Sequence, residues 1–326
     1  MLAWILAMKN LHHALGFHPA VREKVANAQR VRTVIGYDDL NRETAFASLA
    51  DLPSPFVPDM LPLEHVDAGI LTDRIDGSDI FILLYASSTL PCPKPEGPAF
   101  LDPIRSAIVR HWKKSVLFKD YGIHLEEAFS EPLHEIAARN ARLIDVANAS
   151  SEVRFEDGLA NCLVGTLSGN QRWTSVDGMG NLDLVPGEIA THIGDLSGTA
   201  VFDGTFLSTI PFASKYGVVD ERFLTLQIDQ SRVTGFECAD LGFCRDFDAY
   251  LNAHPNNRHV QEFGIGTNLG VKGLYGRNAG FEERHPGLHL GLGGGQLGSH
   301  HLDLIFRTGL IKFGDKVVFD SVFFLE

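Results

Sequence analysis

The spacing of hydrophobic and polar positions changes near residue 150. In the first half, the run from Asp79 to Tyr85 is apolar after its first residue, which is typical of a strand buried on both faces of a parallel sheet. Residues 131–147 carry apolar side chains at helical spacing, and residues 19–30 show a weaker pattern of the same kind. Residues 115–118 read as a second strand. These elements predict a layered α/β domain over residues 1–150.

Proline-rich segments separate these elements and predict rigid loops at residues 53–58 and 91–95. The predicted strands are not followed by a glycine-rich fingerprint that would bind a nucleotide. The N-terminal domain is therefore interpreted as a support domain rather than a nucleotide-binding one.

The second half consists of short β-prone segments separated by Gly-Asn, Asp-Gly and Gly-Glu turns. Regular turns between short strands are typical of an antiparallel barrel or sandwich. Residues 151–326 are therefore predicted to form a β-rich, barrel-like α+β domain, and the chemistry considered below makes it a metal-binding domain. The segments that carry the pattern are residues 162–167, 198–202, 223–228, 232–236 and 317–324.

Composition narrows the classes of partner. A net charge of −13 argues against binding to nucleic acid, which requires clustered Lys and Arg. The four cysteines form no Cys-x-x-Cys pair and are interpreted as free thiols. No run approaches the roughly 20 apolar residues that cross a bilayer, and the apolar start is shorter than a signal peptide. A cytoplasmic protein without a membrane partner is expected.

Histidines and acids beside glycines mark the candidate chemistry. His301 and Asp303 are separated by one leucine, so on a strand their side chains would share a face. They could then bind one metal ion or simply face solvent. The glycine-dense loop over residues 291–298 permits close approach of the backbone and favours a metal site. The five stretches concerned are residues 186–188, 261–266, 282–285, 287–291 and 300–303.

Three further residues have two readings each. Glu262 at the end of a strand needs a partner, either a cation or an arginine. His289 lies among leucines, as a core residue or as a ligand, and Glu188 follows a Pro-Gly turn, where acids are often solvated. Two histidines and three acids suit Zn²⁺, Mn²⁺, Co²⁺ or Fe²⁺ equally well.

Taken in this order, the five stretches resemble the aminopeptidase T and aminopeptidase S family of metallopeptidases. The resemblance covers about residues 130–326 and includes the segments 140–144, 196–204 and 262–268. It implies a two-metal centre in which a hydroxide attacks the peptide carbonyl while a carboxylate moves the proton, with Glu188 and Glu262 as catalytic carboxylates. The implied ligands are Glu188, Glu262, Glu283, His289, His301 and Asp303, with Glu282 as the alternative to Glu283.

The same scaffold is similar to the 2,5-dihydroxypyridine ring-opening dioxygenases, which use a single iron and also end in His-Leu-Asp. Those enzymes have histidine where this chain has Glu262, so the ligand set is closer to that of the hydrolases. Two departures from the peptidases stand out. The stretch from His289 to His301 contains no tyrosine, whereas the peptidases have one near their metals, and the N-terminal domain is shorter than theirs.

Three functions follow as expectations. The first is an aminopeptidase-type hydrolase for small peptides or amides, using one or two Zn, Co or Mn ions. The second is a non-catalytic peptide- or ligand-binding descendant of that family. The third is a mononuclear Fe(II) ring-cleaving dioxygenase. The protein is expected to bind a small peptide or small-molecule substrate and to form a homodimer.

Overall fold

A computed structural model describes residues 2–86, 99–208, 212–276 and 279–325. The chain divides into two compact units. The first comprises residues 1–133 together with 176–186, and the second comprises residues 134–175 together with 187–326. The predicted loop at 91–95, with Cys92, lies outside the described residues.

The first unit contains a four-stranded parallel sheet. Its strands are β1 (Val31–Tyr37), β2 (Phe56–Pro62), β3 (Ile80–Tyr85) and β4 (Ser115–Lys119). The helices are α1 (Leu2–Phe17), α2 (Arg22–Ala26), α3 (Arg42–Leu49), α4 (Ala68–Gly77), α5 (Arg105–Arg110) and α6 (Leu125–Phe129). The strand order is β2-β1-β3-β4, and β3, a central strand, is buried at every position, as its apolar run predicted.

Local predictions for this unit were partly wrong. The helix expected over residues 19–30 is reduced to α2, because the chain leaves helical geometry at Ala28, whose φ is +51°. The loop expected over residues 53–58 ends early, since β2 begins at Phe56 and pairs in parallel with β1. Helix α1 was not predicted, because it is apolar around most of its circumference and has no clear helical stripe.

The second unit is built on one 13-stranded sheet. Its strands are β5 (Glu152–Glu156), β6 (Cys162–Thr166), β7 (Thr174–Val176), β8 (Glu188–Thr191), β9 (Ser197–Ser208), β10 (Val218–Asp229), β11 (Arg232–Cys238), β12 (Val260–Gly266), β13 (Gly287–Leu292), β14 (Leu302–Phe306), β15 (Leu310–Phe313), β16 (Lys316–Asp320) and β17 (Val322–Phe323). The helices are α7 (Leu133–Asn148), α8 (Phe212–Tyr216), α9 (Leu241–Ala253) and α10 (Ala279–Glu282).

The order across this sheet is β17-β16-β15-β5-β6-β9-β14-β13-β12-β8-β7, and the hairpin β10–β11 branches from β9. The sheet is antiparallel and curls into a half-barrel. No pairing among the described residues joins β17 to β7, so the barrel-like expectation holds only for the curl and not for closure. The molecule thus combines a small parallel α/β unit with a large, curled antiparallel sheet.

Alternation along the strands separates two faces of the large sheet. Leucines, isoleucines and phenylalanines such as Ile265, Leu290 and Leu304 are buried in the core of the second unit. Successive side chains of a strand point to opposite faces, so the intervening positions share the other face. That face carries the polar residues considered below.

The C-terminal tail differs from its prediction. Residues 317–324 were expected to form one closing strand, but they form β16 and β17, which pair with each other. Ser321 lies between them with a φ of +58°, so the chain reverses at this residue. A turn at a serine has no glycine or proline to mark it in the sequence.

Among the described residues, no helix combines the length and the apolar character needed to cross a bilayer.

The aromatic cluster beneath α9 generates a stability prediction. Phe243 is fully buried, and its ring centroid lies 4.9 Å from that of Phe223 and 5.0 Å from that of Tyr216. Replacing it by alanine (Phe243→Ala) removes these contacts and leaves a cavity, so the free energy of unfolding should fall by about 3–5 kcal/mol. Urea unfolding followed by circular dichroism measures the change.

Leu241 in the same helix is the matched control, because 83% of its surface is exposed. Leu241→Ala should change the free energy of unfolding by less than about 0.5 kcal/mol. Equal losses in the two variants would contradict the assignment of Phe243 to the core.

Candidate metal centre

The ligands expected from the sequence lie on one face of four neighbouring strands. Glu188 begins β8, and Glu262, His289 and Asp303 lie in β12, β13 and β14. The registers pair Glu262 with Gly291, and Gly291 with Asp303, which places these positions side by side. His301 precedes β14 by one residue. The pleat of the sheet therefore brings together residues that are more than 100 positions apart in the chain.

Glu283 reaches this face from the turn after α10. The turn lies close against the end of β12, where a Cβ on Gly266 would collide with the carbonyl oxygens of Glu283 and His285. The side chain of Glu282 points elsewhere and accepts hydrogen bonds from the backbone N–H groups of Tyr275 and Gly276, at 2.6 and 2.9 Å. Of the two adjacent acids, Glu283 is thus the one beside the other ligands.

An inner group of four residues could enclose a cation. Glu188, Glu262, Glu283 and His289 each offer a ligand atom, and these atoms lie within 4.8 Å of one another. Three carboxylate oxygens surround His289 Nε2, at 3.0 Å from Glu188 Oε1, 3.5 Å from Glu262 Oε1 and 3.9 Å from Glu283 Oε2. Both Glu188 and His289 are buried.

Glu262 connects this inner group to a more open one. Its second oxygen, Oε2, lies 3.9 Å from His301 Nε2, and that nitrogen lies 2.6 Å from Asp303 Oδ1. The side chains of His301 and Glu262 are 35% and 28% exposed, in contrast to 1% for His289. The outer group of Glu262, His301 and Asp303 is therefore open to solvent through His301 and Glu262, whereas Asp303 is buried.

A buried arginine, Arg284, belongs to the same cluster. Its Nη1 contacts Glu188 Oε2 and lies 3.7 Å from Glu283 Oε1, and the side chain is only 2% exposed. The sequence analysis did not single out this residue. Its only signal was its place directly after two acids, an arrangement equally common on protein surfaces.

Glycines make room for the imidazole rings. A Cβ on Gly264 would overlap the ring of His289, and a Cβ on Gly291 would lie 2.5 Å from His301 Cε1 and 2.9 Å from the Cβ of Glu262. Both positions are glycine on the ligand-bearing face, so each ring can lie flat against the backbone of the neighbouring strand. The glycine pattern noted in the sequence thus has a steric reason.

The outer histidine is held in the tautomer that a metal ligand needs. His301 Nδ1 lies 3.3 Å from the carbonyl oxygen of Gly293, which can only accept, so Nδ1 carries the proton. The lone pair of the neutral ring is then on Nε2, which faces Asp303 and Glu262. In contrast, His289 Nδ1 is buried without a hydrogen-bond partner among the described residues. The tautomer of His289 is therefore not fixed by a hydrogen bond at Nδ1, as that of His301 is.

A buried polar network holds the backbone of Glu188. Asn140 Nδ2 donates to the Glu188 carbonyl oxygen at 3.0 Å, and Thr267 Oγ1 donates to Asn140 Oδ1 at 2.6 Å. The N–H of Thr267 donates to the Gly187 carbonyl oxygen at 2.8 Å. The start of β8 is therefore fixed by α7 on one side and by the end of β12 on the other.

The electrostatics show an excess of negative charge. Burial would lower the pKa of His289, but the hydrogen bond to Glu188 and the nearby carboxylates raise the pKa well above its usual value. The pKa of His301 rises to about 9 despite burial, because the Asp303 carboxylate lies beside it. Burial and the charge of Glu188 raise the pKa of Glu283. Burial alone would also raise the pKa of Glu188, yet Arg284 and His289 lower it to about 2.

These residues fit a divalent cation. The cluster contains four carboxylates and one arginine. Asp303 Oδ1 is buried without an aligned hydrogen-bond donor among the described residues. Carboxylate and imidazole donors suit Mn²⁺, Fe²⁺, Co²⁺ and Zn²⁺. A cation would supply the positive charge that protons otherwise supply to the histidines and to Glu283.

The loop between His289 and His301 has no tyrosine, in contrast to what the resemblance to the peptidases implies. Tyr250 of α9 approaches this loop, and its hydroxyl lies 2.9 and 2.8 Å from the carbonyl oxygens of Leu292 and His300. It therefore ties the two ends of the loop together. Burial and the charge of Asp303 raise the pKa of Tyr250.

Comparisons with known proteins show a shared fold. No protein-family model and no curated protein matches the chain. A solved structure of the 2,5-dihydroxypyridine dioxygenase from Pseudomonas putida KT2440 is similar to it, with a TM-score of 0.59 and 14% sequence identity. The match covers 99% of this chain and 98% of the dioxygenase. At that identity the likeness establishes the scaffold alone, and it does not assign the chain to a peptidase family.

The glycine beneath His289 provides a test of the site geometry. In Gly264→Ala the added methyl group must displace the imidazole from Glu188 and Glu262. Binding of Mn²⁺ by isothermal titration should weaken at least about tenfold, a loss comparable with that for other changes in ligand orientation. Gly194→Ala is the control, because no atom lies within 4 Å of a Cβ there. Equal affinities in both variants would contradict the proposed role of His289.

Proposed function

We propose that this protein is a metal-dependent enzyme that acts on a small substrate. The observation that carries the proposal is the convergence of three carboxylates and an imidazole within 4.8 Å of one another, joined through Glu262 to a partly open group containing His301. Structural zinc sites are closed by four protein ligands, whereas catalytic ones keep a position open to water or substrate. The exposure of His301 and Glu262 supports the catalytic reading.

The candidate residues have different roles in this proposal. Glu188, Glu262, Glu283 and His289 would hold the cation in the inner group, and Glu262 would extend the centre to His301 and Asp303 on the open side. When bound, the cation supplies Lewis-acid chemistry and, if it is iron, one-electron chemistry with oxygen. The Gly293 carbonyl faces His301 Nδ1, so the lone pair of the neutral ring is on Nε2, and Glu262, with one oxygen towards each group, would accept a proton from a substrate.

Oxidative ring cleavage is the first candidate reaction. It is supported by the dioxygenase scaffold, which extends over nearly the whole chain. On the open side, one imidazole lies beside two carboxylates, with His301 Nε2 3.9 Å from Glu262 Oε2 and 2.6 Å from Asp303 Oδ1. The departure is Glu262, where the resemblance to the ring-cleaving enzymes implies a histidine.

Hydrolysis of a small peptide or amide is the second candidate. The donor set is compatible with it, because four carboxylates with a shared Glu262 suit Zn²⁺, Co²⁺ or Mn²⁺ as well as they suit iron. A carboxylate with one oxygen towards each group of ligands is also the arrangement that a pair of cations would need.

Oxygen consumption tests the first reaction. Protein reconstituted anaerobically with Fe²⁺ and mixed with dihydroxylated pyridines or benzenes should consume oxygen and lose the ring absorbance of the substrate. The variant His301→Ala should lower the rate by at least about 100-fold, because a lost ligand removes several kcal/mol of stabilisation. If no oxygen is consumed with any of these substrates, ring cleavage is excluded.

Amino-acid release tests the second reaction. Protein loaded with Zn²⁺, Co²⁺ or Mn²⁺ should release free amino acids from a panel of dipeptides, and Glu262→Gln should abolish the release because it removes both a ligand oxygen and the proton acceptor. Arg154→Met, in a different part of the sheet, serves as a control and should keep the activity. Metal binding without either activity would leave a binding protein and overturn the proposal of an enzyme.

A further inference from the structure

We infer that Arg284 is a positioning residue that prepares Glu188 and Glu283 as metal ligands. The inference rests on the proposed metal-dependent function. Arginine remains charged at all accessible pH values, and this one is 2% exposed, so a permanent positive charge is built into the floor of the centre. None of the proposed reactions requires the guanidinium to touch a substrate.

The division of the carboxylate oxygens carries the inference. In Glu188, Oε2 contacts Arg284 Nη1 while Oε1 lies 3.0 Å from His289 Nε2. In Glu283, Oε1 lies 3.7 Å from the same Nη1 while Oε2 lies 3.9 Å from His289 Nε2. Each carboxylate thus presents one oxygen to the arginine and the other to the inner group.

This division restricts the rotation of both carboxylates, and most strongly that of Glu188, which is hydrogen-bonded to the arginine. A buried glutamate with one free oxygen can turn about its terminal torsion, which has broad minima. A charge-assisted hydrogen bond at Glu188 Oε2 removes that freedom and leaves Oε1 towards the inner group, while Glu283 Oε1 is held by charge attraction at 3.7 Å. Residues that orient ligands in this way commonly contribute a factor of 10–100 to metal affinity.

The backbone of Arg284 is itself anchored. Its N–H donates to the carbonyl oxygen of Phe281 at 3.2 Å, and its carbonyl oxygen accepts from the N–H of Asn268 at 3.0 Å. Asn268 is fully buried at the end of β12, beside Gly187. The turn that carries Glu283 and Arg284 is therefore fastened to the strands that carry Glu262 and Glu188.

Electrostatic repulsion alone predicts the opposite change in metal affinity. A guanidinium near a dication repels it, so removing the positive charge would strengthen metal binding if electrostatic opposition dominated. Removing an orienting partner would weaken it. The sign of the change in affinity therefore distinguishes positioning from repulsion.

The experiment compares Mn²⁺ binding by wild type, Arg284→Met and Arg284→Lys, using isothermal titration on protein freed of metal by a chelator, with circular dichroism as the check on folding. Arg284→Met should weaken binding by about 10–100-fold without changing the number of ions per chain. Arg284→Lys keeps the charge and should recover part of the loss. Tighter or unchanged binding by a folded Arg284→Met overturns the inference.

A double-mutant cycle tests whether Arg284 acts through Glu188. Once Glu188→Gln has removed that ligand, Arg284→Met should cost less affinity than it does in the wild type. Fully additive losses overturn the inference. Arg154→Met is the matched control, since Arg154 is a half-buried arginine paired with Glu152 in the same unit, and it should bind as wild type does.

Two further outcomes keep the test decisive. If Arg284→Met does not fold, Arg284→Gln takes its place, because it keeps N–H donors and loses only the charge and length. It should weaken binding at least about tenfold, and unchanged binding again overturns the inference. Wild-type protein that binds no Mn²⁺, Zn²⁺ or Fe²⁺ overturns the proposed function, and this inference with it.

Discussion

Repulsion between carboxylates in a confined space is the constraint on which the second unit depends. Glu188, Glu262 and Glu283 meet within 4.8 Å of His289, and burial makes the charges of Glu188 and Glu283 harder to sustain. Isolated buried carboxylates would take up protons or destabilise the fold. Here Arg284 keeps Glu188 ionised, and the imidazoles of His289 and His301 lie beside oxygens of Glu188 and Asp303. A divalent cation would balance the remaining negative charge.

The large sheet makes this crowding structurally feasible. One face packs leucine, isoleucine and phenylalanine side chains into a continuous core, which supplies the stability that the charged face lacks. The other face alternates ligands with glycines, so that the imidazoles of His289 and His301 lie on bare backbone. Stability and chemistry are thus carried by alternate residues of the same strands, and each strand positions its ligand by packing the residue next to it.

The sequence predicted some residues of this site, left a choice open for others and did not indicate one of them. The spacing of His301 and Asp303 is meaningful because a strand repeats every two residues, and the structure places both beside Glu262. Glu282 and Glu283 could not be separated, because a turn has no fixed periodicity and either side chain could point inwards. Arg284 was missed altogether, since nothing local distinguishes a buried arginine from an exposed one.

For the fold, alternation and turn residues were sufficient to identify an α/β half and a β-rich half, because pleat and helical pitch leave their period in the chain. They could not show that thirteen strands form one curled sheet with a hairpin branching from β9, because strand order depends on pairings between distant segments. The same limit applies to the site. The kinds of candidate ligand and their order were determined by the sequence alone. Tertiary structure decided that Glu262 joins two groups and that Arg284 lies beneath one of them, since register and burial arise only when the strands meet.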